Sequence, residues 1–87
     1  MVNQKIVIRI KFGLHARPAG VLAKIAQQFA SDVKVVIGEK EYNAKSIMGL
    51  LAAGIQNGTE IQIRCNGEDE IKALHAIIPA IESGLGE

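Results

Sequence analysis

The stretch GLHARPA, residues 13–19, places the imidazole of His15 two residues before the guanidinium of Arg17. A neutral imidazole near pH 7 is nucleophilic and can form a phosphorus to nitrogen bond of high transfer potential. Arg17 can offer a planar pair of donors to phosphate oxygens. The surrounding pattern starts a helix at this point, and the unpaired N–H groups and positive dipole end of a helix start attract an anion. Nothing in the stretch resembles a P-loop, a metal triad or a serine nucleophile with its base, so cleavage chemistry has no visible machinery. A carrier needs only a nucleophile and anion stabilisation. Spacing alone also leaves room for a blander account, in which His15 caps a helix and Arg17 is a solvated charge.

The elements that must position these residues follow from periodicity. Ile6, Ile8 and Ile10 alternate with Lys5, Val7, Arg9 and Lys11, which predicts a strand that Gly13 ends. Ala19, Leu22, Ala26 and Phe29 then fall at helical spacing, with Lys24, Gln27 and Gln28 on the other side. Pro18 is tolerated only in a first turn, so this helix must begin around residues 15–17. Residues 33–37 and 41–44 flank Gly38 and Glu39 and read as two antiparallel strands joined by a turn. Ser46 is a favoured N-cap before Ile47, Met48, Leu50 and Leu51, while Gly49 at the fourth place denies it a full capping box. Gly54 ends this short helix, and Asn57 with Gly58 signals a turn.

Ile61, Ile63 and Cys65 predict a last strand that stops at Gly67. Glu68, Asp69 and Glu70 then supply acids to the first turn of a final helix with Ile71, Leu74, Ile78 and Ile81 on one stripe. Pro79 removes one backbone bond inside that stripe and predicts a kink or an early end near residues 75–78. The order β-α-β-β-α-β-α gives an α+β fold, an antiparallel sheet with helices on one face.

With 87 residues the chain is expected to form one domain, residues 1–87, around one core. A net charge of +1 and an aromatic share of 3% argue against a nucleic-acid binder, which needs a basic field and stacking platforms. Cys65 is the only cysteine, so no internal disulfide can form, which fits a reducing compartment. The N-terminus lacks the continuous apolar run of a signal peptide or membrane span, and a cytoplasmic protein is expected. A short helix cannot bury all of Ile47, Met48, Leu50 and Leu51, so some of them must form an exposed apolar patch, with Leu50 in the core. His75 stands apart from any Cys, Asp or second His at metal spacing and receives no function; no metal or cofactor is implied. Glu68, Asp69 and Glu70 read as helix-start acids.

Two motifs together carry a resemblance across essentially the whole chain. GLHARPA is similar to the active-site stretch, and AKSIMGLLAAGIQNGTEI, residues 44–61, to the regulatory serine segment, of the histidine-containing phosphocarrier (HPr) family of the bacterial phosphoenolpyruvate-dependent sugar phosphotransferase system. The resemblance implies an open-faced β-sandwich, a four-stranded antiparallel sheet covered on one face by three helices. It implies that His15 takes phosphate at Nδ1 from phosphorylated enzyme I and passes it to the enzyme IIA domain of a sugar permease, with Arg17 steadying the phosphoryl group. The KSIMG stretch, residues 45–49, is of the Gram-positive type, which makes Ser46 a target of the bifunctional HPr kinase/phosphorylase. Lys24, Gln27, Ile47, Met48 and Leu51 would form the surface that meets these partners and a catabolite-control transcription regulator. The acting form is expected to be a monomer.

The runner-up is a regulatory module similar to the catabolite-repression HPr-like proteins, acting as a corepressor after phosphorylation of Ser46. Those relatives carry Gln at the place of His15. Two residues depart from the family pattern. Phe12 stands where a small polar residue is usual, which removes any side-chain hydrogen bond to the histidine. Gly20 stands where a larger residue is usual and weakens the first helix by roughly 1 kcal/mol relative to Ala.

Overall fold

Alternating apolar residues pair into a sheet because each strand then buries one face and leaves the other to water. The structure, a computed structural model, describes residues 1–86. Its elements are β1 (Val2–Val7), α1 (Ala16–Ala26), β2 (Asp32–Ile37), β3 (Lys40–Asn43), α2 (Ile47–Ala52), β4 (Glu60–Asn66) and α3 (Glu70–Glu82). The strands form one antiparallel sheet in the order β1-β4-β2-β3, with the three helices on one face, as expected from the sequence.

Register explains which face is covered. Ile6 pairs with Ile61, Val35 with Ile63 and Val33 with Cys65, and this set faces the helices. Leu22, Ala23 and Ala26 of α1, Leu50 of α2 and Leu74, Ile77, Ile78 and Ile81 of α3 complete one hydrophobic cluster. Each fully buried Leu or Ile contributes about 1.5–3 kcal/mol relative to exposure. The other face of the sheet stays bare. There Arg64 of β4 donates through Nε to Asn3 Oδ1 of β1 at 2.9 Å and through a terminal nitrogen to Glu41 Oε2 of β3 at 2.7 Å. One side chain thereby ties three strands, reaching across β2 to the edge.

Several boundaries differ from the sequence expectation. β1 ends at Val7 rather than running to Gly13, although Ile8 and Ile10 are buried. Ile8 leaves the ladder to bond the turn before β4, its N–H donating to Thr59 O at 2.9 Å and its carbonyl accepting from Gly58 N at 2.7 Å. Alternation there reports burial, not strand pairing. α1 stops at Ala26, and Phe29 packs against the core from the following turn, its N–H donating to Ala26 O three residues back. α3 starts at Glu70, leaving Glu68 and Asp69 outside its first turn, and it turns Ile71 outward at 59% exposure. Ala73 and Ile77 take the place of Ile71 on the buried stripe.

Pro79 neither ends α3 nor stops it near residues 75–78; the helix continues to Glu82. Pro79 and His75, whose carbonyl the missing N–H would have met, both lie on the exposed face. Water can therefore serve the carbonyl that the proline leaves, and the cost stays outside the core.

Asp69 has a larger role than a helix-start acid. Its carboxylate accepts from the backbone N–H groups of Ala30 and Ser31, both at 2.9 Å, and from the Ser31 hydroxyl. Gly67 makes room for this clamp, because a Cβ there would come within 2.6 Å of Ser31 Cα and Oγ. The Ser31 side chain and the two backbone donors hold the Asp69 carboxyl down to about 2 from an ordinary 3.8. A carboxyl lowered on folding adds stability above its unfolded value and loses it as pH falls through its folded value. Asp69→Asn should therefore lower the melting temperature at pH 7, with the gap to the parent closing between pH 3.8 and about 2, in thermal denaturation followed by circular dichroism.

Candidate functional site

The loop before α1 is built on backbone seating. Gly13 has φ +70°, and a Cβ on it would lie 2.5 Å from Ile55 O and 2.8 Å from Gln56 Cα. Only glycine combines that left-handed conformation with so close an approach. The next residue, Leu14, is buried and donates its N–H to Ile55 O at 2.9 Å. These contacts set where the chain can enter the helix. His15 follows as the N-cap residue of α1, in extended conformation with φ −79° and ψ −172°, and its carbonyl accepts from Ala19 N at 2.9 Å.

Pro18 lies buried in the first turn, as its missing donor requires. Arg17, one residue earlier, is exposed at the same helix start. The first turn of α1 carries no acidic residue that would compete for its N–H groups. A half-buried imidazole at a helix N-terminus, with exposed Arg17 in the first turn, is a place where the helix dipole and backbone donors favour an anion.

Sequence reasoning missed how Phe12 bears on His15. The Phe12 ring centroid lies 6.2 Å from that of His15 with the planes at 72°, and the Lys11 ammonium lies 5.3 Å from the Phe12 centroid. The only signal was the exposed aromatic before Gly13, which taken alone reads as a missing polar group.

Ser46 takes its expected place. Its Oγ accepts from Gly49 N at 3.0 Å and caps α2, with Asn43 holding the preceding turn through Lys45 N at 3.0 Å. Leu50 is buried, whereas Ile47, Met48 and Leu51 are exposed, Met48 at 76%. Gly20 lies beneath Ile47, since a Cβ at residue 20 would sit 3.9 Å from Ile47 Cδ1. α1 and α2 are further joined by Gln27, whose Nε2 donates to Lys45 O at 2.8 Å, and by Lys45 Nζ, which donates to Phe29 O at 2.7 Å. The structure thus brings Gln27 and Ile47 into the contact between the two helices, while Lys24 is exposed in the last turn of α1. The sequence gives no sign of the Lys45 contact, because its partner is the Phe29 carbonyl in the turn after α1, a pairing with no sequence pattern.

Other polar features lie elsewhere. A surface depression lined by Ala30 and residues 67–72 lies around the Asp69 clamp. Cys65 is buried in the sheet, and burial, then the charges of Glu70 and Asp69, push its thiol pKa up, away from thiolate chemistry. Among the described residues no helix is long and apolar enough to cross a membrane.

An open-faced sandwich with a histidine at the start of its first helix and a serine at the start of its second is the arrangement of a small phosphocarrier. The family model described as the PTS HPr component phosphorylation site matches residues 2–83, and the chain belongs to the HPr family of the phosphotransferase system. The phosphocarrier protein HPr of Mycoplasma capricolum is 47% identical over 77 residues, 88% of this chain and 86% of that one. The HPr-like protein Crh of Bacillus subtilis is 43% identical over 82 residues, 94% of this chain and 96% of the relative. Among solved structures, HPr-C-His from Thermoanaerobacter tengcongensis superimposes with a TM-score of 0.95 at 40% identity, covering 100% of this chain and 98% of the other. HPr from that organism has also been solved as a dimer (TM-score 0.79, 40% identity, 97% and 99% covered). The family therefore includes dimers, and a monomer does not follow from membership.

Gly13→Ala tests the seating of the loop. It should cost at least about 2 kcal/mol in urea unfolding, from the left-handed backbone plus overlap with the 55–57 turn.

Proposed function

We propose that the chain accepts a phosphoryl group on Nδ1 of His15 from phosphorylated enzyme I and gives it to the enzyme IIA domain of a sugar permease. The observation that carries this reading is the position of His15 as N-cap of a helix whose first turn holds Arg17 and no acid. In the forward step the lone pair of the imidazole nitrogen attacks phosphorus, the N–P bond forms, and the bond from phosphorus to the donor breaks with its electron pair leaving on the donor. The second step is the same displacement at the acceptor, with the electron pair returning to His15. No group on this chain needs to cleave anything, so the protein is consumed and regenerated rather than acting as an enzyme. Arg17 and the helix-start N–H groups offset the negative charge the phosphate brings.

Ser46 is proposed as the target of HPr kinase/phosphorylase. A phosphate there gains about 1 kcal/mol from the helix dipole, so α2 persists and the effect falls on docking. Lys24, Gln27, Ile47, Met48 and Leu51 form the proposed docking surface, whose exposed methionine suits several partners. The acting form is a single-domain cytoplasmic monomer, which leaves that helical face open. The similarity to Crh favours a second reading, a corepressor acting through phospho-Ser46 on a catabolite-control regulator. His15 supports the carrier reading, because the regulatory relatives carry Gln at that place.

Incubation with phosphoenolpyruvate and enzyme I should place acid-labile phosphate on His15. His15→Ala should abolish it, and Arg17→Ala should slow transfer by about tenfold or more, the worth of a hydrogen bond to a charged group. Unlabelled His15 in the parent chain would refute the carrier reading. With ATP and HPr kinase, phosphate stable to acid should appear on Ser46, located by mass spectrometry and absent from Ser46→Ala.

A further inference from the structure

The loop that seats His15 also presents Phe12, 71% exposed, against the imidazole. The backbone fixes the turn that carries the ring. Gly13 N donates to Ile10 O at 2.8 Å and closes a turn around Lys11 and Phe12, and Gly13 itself is wedged against the 55–57 turn. The near-perpendicular ring pair, centroids 6.2 Å apart, restricts the orientation of each partner. The Lys11 ammonium, 5.3 Å from the Phe12 centroid, further favours this placement of the ring.

We propose that Phe12 is a positioning residue that holds the His15 imidazole and screens its phosphorylated form from water, so that the bound phosphate is lost to hydrolysis more slowly. The inference rests on His15 as the phosphoryl acceptor. In the wasteful reaction water supplies a hydroxyl to phosphorus and a proton to the imidazole nitrogen as the N–P bond breaks, releasing inorganic phosphate. A water that attacks must find room beside the phosphoryl group and a polar group to orient it. Phe12 occupies space on one side of the imidazole and has neither donor nor acceptor to offer. Transfer to a protein partner does not suffer equally, because a docked partner excludes water itself.

The test uses potassium phosphoramidate, which phosphorylates imidazoles without a protein donor, on the parent, Phe12→Ser and Phe12→Leu chains. After removal of the reagent, phosphorus NMR at pH 7 follows decay of the signals from His15 and from His75, told apart by the signal lost in His75→Gln. His75 is exposed on α3 and serves as internal reference. Phe12→Ser should speed the loss from His15 by about three- to tenfold, the scale of one aromatic-pair contact, while His75 is unchanged. Phe12→Leu, which keeps bulk without the ring, should fall between. In the unphosphorylated chains the ring-proton resonances of His15 should shift in Phe12→Ser and those of His75 should not. Equal His15 lifetimes in all three chains, or equal changes at His15 and His75, would overturn the proposal. A parent chain that enzyme I fails to label would refute the carrier reading while leaving the phosphoramidate result to judge Phe12.

Discussion

The approach of Gly13 to the turn at residues 55–57 is the contact on which the site depends. It is a backbone-to-backbone fit, too close for any side chain at residue 13. The same turn region also holds the start of the loop, because Gly58 and Thr59 bond Ile8 where β1 ends. The segment between Ile8 and Leu14 is therefore fixed at both ends to one short stretch of chain. This leaves His15 a single way to enter α1, as its N-cap. The backbone fit sets where His15 meets the helix, and the Phe12 ring lies against its imidazole from the same loop, which is how a chain with a small core can carry a defined site.

The second helix depends on the first. Six residues are too few for a helix to persist alone in water. α2 is kept by the Ser46 cap, by burial of Leu50 and by ties to α1 through Gln27 and Lys45. Burying Leu50 while turning Ile47, Met48 and Leu51 outward follows from geometry, since one turn and a half of helix presents only one side to the core. The exposed trio is left as the apolar part of the helical face.

Much of this was legible in the chain. Alternation at Ile61, Ile63 and Cys65 and helical spacing at Ala19, Leu22 and Ala26 mark burial directly, and burial on two periods is enough to order the elements. Ser46 was readable as a cap because capping is local, joining residues three apart. Non-local contacts were not readable. Ile8 and Ile10 alternate as a strand would, yet their burial comes from a loop pinned by another turn. Ile71 fits the stripe of α3 by spacing, but the stripe turns to follow Ile77, and only packing against the sheet decides that. Asp69 looked like one of three equivalent acids; its distinction lies in Ala30 and Ser31, far off in sequence. Pro79 would break a helix whose carbonyl was buried, and the exposure of that face could not be read without the fold. At the site, GLHARPA announced its chemistry, while the contact of Phe12 with His15 depends on a turn whose shape comes from Gly13.

The bare face of the sheet, braced by Arg64, has a practical side. Lys5 projects from it beside Gln62, on the side of the molecule away from all three helices. Because Cys65 is buried with its thiol pKa raised, a Lys5→Cys chain would present one reactive thiol to a maleimide dye or a surface. The molecule could then be tethered in a known orientation, with the His15 loop and both capped helices held outward for any partner in solution to find.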